Sequence, residues 1–193
     1  MKKVTIKELV LCAMFAAVCC AVAPISIPMP GGVPITLQTA AVFLCALCLG
    51  PKLGFMAVLI YVLLGAVGLP VFAGLSGGMS ALVGAAGGFI WVWPFTALLS
   101  GFIYFKFGRD RRGMRKYVVM FAAMLLGSVL MYAVGLSQFM IVTNTGLIYA
   151  MTVCMIVFIP GDIIKMVLVA VLTPQIEKAL KKTYAMNEAS ANA

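Results

Sequence analysis

Apolar residues run almost unbroken along this chain, and short clusters of charge, proline or glycine divide the runs. The first run extends from about Glu8 to Ala23. A segment with Pro24, Pro28, Pro30, Gly31, Gly32 and Pro34 follows, and this composition excludes a regular helix. The second run, Ile35 to Leu49, is short. Gly50-Pro51-Lys52 predicts a tight turn, and Leu53 to Gly68 forms the third run. LPVFAGLSGGMS, Leu69 to Ser80, is again a loop rich in glycine. The fourth run covers Ala81 to Phe105, with Pro94 as an expected kink. Lys106 to Lys116 is a basic loop, and the fifth run extends from Tyr117 to Leu136.

The last part admits two readings. Leu147 to Ile159 is too short to cross a bilayer and suits a re-entrant or interfacial piece. Pro160 then fits the first turn of a new helix reaching Leu180, with Pro174 as a second kink. The other reading is one kinked helix from Leu147 to Leu172. The first is preferred, because a proline inside a helix leaves a carbonyl unpaired in lipid.

Composition agrees with the pattern. Of 193 residues, 64% are hydrophobic and 10% charged. A soluble domain of this size has no use for so much apolar side chain. Lys2, Lys3 and Lys7 before an apolar run resemble a signal peptide, but the run is about as long as a span and no small-residue cleavage site follows. It is therefore expected to remain as the first transmembrane helix.

Charge placement tests the count of spans. With the N-terminus in the cytoplasm, the inner loops and helix ends hold Lys2, Lys3, Lys7, Lys52, Lys106, Arg109, Arg111, Arg112, Arg115, Lys116, Lys178, Lys181 and Lys182. These are thirteen of the fourteen basic residues, and the outer loops hold none. Such asymmetry predicts six spans with both termini inside. It also accounts for the net charge of +9 without nucleic acid, for which no binding pattern is present. The six cysteines all lie in apolar segments. Cys45 and Cys48 have the spacing of half a metal or redox motif, but the chain has no histidine and no second pair nearby, so they read as small buried hydrophobes.

The fourteenth basic residue is Lys165. With Asp162 it makes the only charges between Tyr117 and Leu172. Each charge costs about 2.5–3.5 kcal/mol inside a membrane on insertion scales. Spaced i and i+3, the two share a helix face. Either they form a self-satisfied pair or they bind a small polar ligand, the acid accepting N–H groups and the amine donating to a carbonyl or carboxylate. Function is favoured, because ionisable groups within membranes are commonly functional. The two outer loops, apolar and rich in proline or glycine, are expected to fold back over the helices and cap a site that opens outward.

Other features are weaker. Ala13, Ala17 and Ala21 recur every four residues, a spacing that lets another helix approach closely or serves packing within the bundle. Leu75-Ser76-Gly77-Gly78 looks like an ATPase signature, yet no phosphate-binding loop accompanies it. No histidine base, nucleophile pair or carboxylate dyad supports catalysis. Phe89, Trp91, Trp93 and Phe95 cluster in the fourth span, where anchoring and packing suit most of them and one or two can wall a pocket.

VPITLQT (Val33 to Thr39), GLPVFAG (Gly68 to Gly74), LVGAAGGF (Leu82 to Phe89) and PGDIIK (Pro160 to Lys165) occur in this order. Together they resemble the BioY family, the biotin-specific substrate-binding subunits of energy-coupling factor transporters. The resemblance covers nearly the whole chain. It implies an all-α, six-span, single membrane-embedded substrate-binding domain over residues 1–193. It also implies that biotin binds in an outward pocket under the loops after the first and third helices. Biotin is then the transported substrate, with no cofactor and no enzymatic activity.

By the same resemblance, energy comes from a transmembrane coupling subunit and two ATP-binding subunits, and Ala13, Ala17 and Ala21 dock on the coupling subunit. Asp162 and Lys165 contact biotin. Gln38, Phe72, Ser80, Gly87, Gly88 and Trp91 are further pocket candidates. One departure stands out. Where the family has G-P-T-G-G, this chain has Gly84-Ala85-Ala86-Gly87-Gly88, so Ala86 is given no polar role. The same scaffold serving another small vitamin, or a purely structural subunit, are the alternatives.

Overall fold

The computed structural model describes residues 5–29 and 33–191, with side chains to residue 180. Lys2, Lys3, Pro30, Gly31 and Gly32 lie outside the described residues, as do the side chains of Lys181 and Lys182. Helix α1 (Ile6–Val22) opens with a capping box. The Thr5 hydroxyl accepts from the Glu8 N–H at 3.3 Å, and the Thr5 N–H donates to Glu8 Oε2 at 2.8 Å. Cys12, Ala16 and Cys19 turn inward from α1.

The proline-rich segment is not structureless. Ser26–Ile27 (β1) and Ile35–Thr36 (β2) pair antiparallel, Ser26 opposite Thr36. The chain is thus mostly helical with one small ribbon, where the sequence predicted helices alone. It follows that α2 (Gln38–Leu49) starts three residues later than the apolar run suggests. Gly50, at φ +85°, makes the turn into α3 (Pro51–Ala66), a conformation that glycine adopts without strain.

A 3₁₀ turn, Ala73–Leu75, lies within the next loop. The fourth run is two helices, not one: α4 (Met79–Val83) and α5 (Gly87–Phe107), separated by Gly84–Ala86. Gly84 takes an extended backbone there, so the apolar character of Ala81–Gly88 does not translate into continuous helix.

Helix α6 (Met114–Thr143) is longer than its predicted span at both ends. Polar residues near its C-terminus do not stop it, because they bond to their own turn. Ser137 Oγ donates to the Ala133 carbonyl at 2.7 Å, and Thr143 Oγ1 to that of Phe139 at 2.7 Å. Asn144, left-handed at φ +53°, ends it.

A single turn, α7 (Leu147–Met151), then widens into a π-helical turn over Thr152–Ile156. Helix α8 (Ile159–Ala191) starts as a separate element with Pro160 as its second residue. Pro160 offers no N–H to the preceding turn, and the wide turn ends just before it. The single kinked helix is therefore not the arrangement adopted. Pro94 and Pro174 lie inside α5 and α8, and α8 continues past Leu180.

Among the described residues, three helices are long and apolar enough to cross a membrane: Gly87–Phe107, Met114–Thr143 and Ile159–Leu180. Helices α1, α2 and α3, at 17, 12 and 16 residues, fall short of the roughly 20 a perpendicular span needs.

Helix α5 sits between α2, α3 and α6, and the largest apolar cluster joins it to α1, α2, α3 and the α7–α8 segment. A second cluster, with Phe43, Leu47, Tyr104, Met120, Met124 and Val169, fills the other end between α2, α5, α6 and α8. At that end Glu177 of α8 ties the helices together. Lys116 Nζ approaches Glu177 Oε2 at 2.7 Å, and the Tyr104 hydroxyl donates to Oε1 at 3.0 Å. Glu177→Gln keeps an acceptor but removes the charge opposite Lys116. It is expected to lower stability by about 1 kcal/mol, or about 2–4 °C in a thermal melt.

Candidate functional site

Asp162 and Lys165 both turn inward from the first turns of α8, while Ile163 and Ile164 between them are exposed. Lys165 Nζ lies 3.0 Å from Asp162 Oδ1, and both residues are buried. The Tyr132 hydroxyl, from α6, donates to Oδ2. Each carboxylate oxygen thus has a protein donor. Lys165 spends one of its three N–H groups on Asp162 and keeps the others for a further acceptor.

These three residues line a cavity of about 330 Å³. Val33, Pro34 and Thr36 of the ribbon segment reach it from one side, and Phe72, Ala73 and Ser76 of the long loop from another. Gly84, Ala85 and Ala86 add a backbone wall; Phe89, Ile90 and Trp93 of α5 and Phe158 before α8 add apolar surface. Tyr61 braces this wall from behind. It stacks near-parallel on Trp93, centroids 6.0 Å apart, meets Phe72 edge-on at 5.7 Å, and accepts a 2.6 Å hydrogen bond from Gln38 Nε2. Two polar atoms in lining residues, Thr39 Oγ1 and Trp93 Nε1, are buried without a partner among the described residues. A neutral ion pair, an amine with N–H groups to spare, an indole N–H and aromatic walls suit a small ligand with an apolar body and polar ends.

Of the residues singled out from the sequence, Asp162, Lys165, Gln38 and Phe72 meet at this cavity. Ser80, Gly87, Gly88 and Trp91 are not among its lining residues. Ser80 is exposed on α4. Trp91 is 50% exposed on the outer side of α5, and Trp93 takes the inward position. Gly87 and Gly88 are buried against α6, where side chains would strike Gln138. Ala13, Ala17 and Ala21 are exposed along α1, opposite its buried Cys12, Ala16 and Cys19. Tyr132 and Thr39 were missed. A lone tyrosine in an apolar run carries no signal of the carboxylate thirty residues on.

The comparisons agree with one another. The model of the BioY family matches residues 1–182. A protein of Pyrococcus horikoshii named probable biotin transporter BioY is 36% identical over 174 residues, covering 89% of this chain and 96% of that one. The biotin transporter BioY of Rhodobacter capsulatus is 38% identical over 170 residues, covering 83% and 88%. Among solved structures, the S-component for biotin from an ECF-type ABC transporter superposes with a TM-score of 0.78 at 30% identity, covering 90% of this chain and 92% of that one. With its motifs in order, its helices superposing on that S-component and its length spanned almost completely, this chain belongs to the BioY family.

Proposed function

We propose that this multi-pass plasma-membrane protein captures biotin in the cavity beside Asp162 and hands it to an ATP-driven energising module for uptake. The observation that carries the reading is a buried ion pair with spare donors inside an aromatic cavity, in a chain whose relatives are named biotin transporters. Biotin offers a fused ring with a ureido group and a carboxylate on an aliphatic chain. Its ring fits the wall of Phe72, Phe89 and Trp93. Its N–H groups reach the remaining lone pairs of Asp162, and Lys165 donates to a ligand oxygen.

The arrangement in the membrane belongs to the same proposal. Helices α1, α2, α3, α5, α6 and α8 act as six spans, the shorter ones met by local thinning of the bilayer or completed by the ribbon and loops at their outer ends. Both termini face the cytoplasm, a reading supported by the placement of the basic clusters. The whole chain then works as one membrane-embedded substrate-binding domain. A transmembrane coupling subunit packs on the exposed Ala13, Ala17 and Ala21 of α1, and two ATP-binding subunits drive it.

The test is thermal stabilisation of the purified protein by a panel of vitamins. Biotin at about one hundred times its dissociation constant is expected to add about 2.7 kcal/mol of stability, and the other vitamins nothing. An unchanged melt with biotin, or an equal shift with a different vitamin, ends the reading. Tyr132→Phe removes one hydrogen bond to a charged acceptor, worth about 1.5–3 kcal/mol. The expected result is biotin binding weaker by roughly tenfold to a hundredfold in a protein that still folds, measured with radiolabelled ligand.

A further inference from the structure

The end of the bundle away from the cavity carries a second concavity of about 420 Å³. It is lined by Phe107 at the end of α5, Arg111 in the loop, and Met114, Arg115, Val118 and Val119 on the first turns of α6. Phe107, Met114 and Val118 are 54%, 77% and 60% exposed, so among the described residues much of its apolar wall is uncovered. A groove walled almost wholly by apolar atoms, with two arginines among its lining residues, matches an amphiphile whose anionic head lies beside that wall.

The charge balance points the same way. Lys106 to Lys116 holds six basic residues and one acid, Asp110. Lys116 is taken by Glu177. Lys106 lies over the rings of Phe102 and Phe107, and Arg109 over that of Phe105. Among the described residues, no carboxylate pairs with Arg111 or Arg115, and the first turn of α6 contains no acid. Two unpaired arginines bordering one groove can offer their planar guanidinium forks to phosphate oxygens, two hydrogen bonds at a time.

We propose that this groove binds one anionic phospholipid, its phosphate held by Arg111 and Arg115 and its acyl stem laid along Phe107, Met114 and Val118. A zwitterionic headgroup fits less well, because its ammonium faces the surplus of cations in this loop. That the lipid comes from the cytoplasmic leaflet rests on the orientation proposed above. The chemistry of the groove does not, and biotin binding measured in parallel keeps the two readings separate.

The experiment is native mass spectrometry of the full chain in detergent micelles, titrated with dioleoyl phosphatidylglycerol or dioleoyl phosphatidylcholine. The first lipid is expected to be retained about tenfold more strongly. Arg111→Gln/Arg115→Gln is expected to erase that preference and leave the biotin dissociation constant within about twofold of wild type, since the groove is remote from the cavity. Lys106→Gln/Arg112→Gln, which removes the same charge from the same loop, is expected to keep most of the preference. Equal retention of the two lipids by the wild type overturns the proposal. So does an equal loss in both double variants, which makes the attraction diffuse. Displacement of the bound phosphatidylglycerol by inorganic phosphate at equal concentration also overturns it, in favour of a free-anion site. If lipid preference is absent but Arg111→Gln/Arg115→Gln no longer co-purifies with the coupling subunit, the groove is a protein contact and the lipid reading fails.

Discussion

Asp162→Asn is expected to weaken biotin binding on the order of a hundredfold to a thousandfold and to lower the melting temperature at the same time. The two effects share one cause. Lys165 is 7% exposed and its ammonium has Asp162 as its counter-charge. Removing one member of a buried pair leaves the other charged and unmatched, at a cost of about 3–5 kcal/mol. The Tyr132 hydroxyl loses its charged acceptor as well. A double variant separates the ligand role from the packing role. Asp162→Leu/Lys165→Met replaces both charges with apolar groups, a change that is often neutral or stabilising for a buried pair. It is expected to melt at or above the wild-type temperature and still fail to bind biotin. The readouts are a thermal melt and equilibrium binding of radiolabelled biotin on the same preparations. A double variant that binds as tightly as wild type would show that the pair serves packing alone.

Asp162 and Lys165 were legible in the sequence because charge is rare in an apolar run, and because i, i+3 spacing with Pro160 ahead places both on one face of a new helix. Trp91 and Trp93 show where that clarity ends. Two positions apart, they point about 200° away from each other on a helix, and only one faces the cavity. In a soluble helix the polar face decides which. Here the lipid-facing side is as apolar as the core, so no stripe distinguishes inward from outward. Tyr132 was invisible for a related reason. Its partner is defined by how α6 packs near α8, and nothing in the local pattern records that packing. The ribbon and the break before α5 depend on backbone geometry at Gly84 and on pairing between segments eight residues apart, and hydropathy does not report either.

Gly87→Ala is expected to destabilise the protein by about 3 kcal/mol or more, or about 6–12 °C in a melt. Gly87 is the first residue of α5, and a Cβ there would overlap the Leu82 carbonyl oxygen and Gln138 Nε2. Those atoms are bonded to one another. Gln138 Nε2, from α6, donates to the Leu82 carbonyl at 2.8 Å and to that of Gly84 at 3.0 Å. The side chain thus holds the loop that carries Gly84, Ala85 and Ala86 along the cavity. Displacing it strands two carbonyls in an apolar setting, each at about 1–3 kcal/mol. There is little slack next door, since a Cβ on Gly88 would meet Gln138 Cβ at 2.7 Å and the Val134 carbonyl at 2.9 Å. Biotin binding is expected to weaken with stability as that wall shifts. Gln138→Ala alone removes the same two hydrogen bonds, so Gly87→Ala/Gln138→Ala is expected to be more stable than the sum of the single effects by about 1 kcal/mol. Gly87→Ala that melts like wild type but loses biotin would instead place this glycine against the ligand. The expected coupling puts it one step back, as the space through which α6 grips the cavity wall.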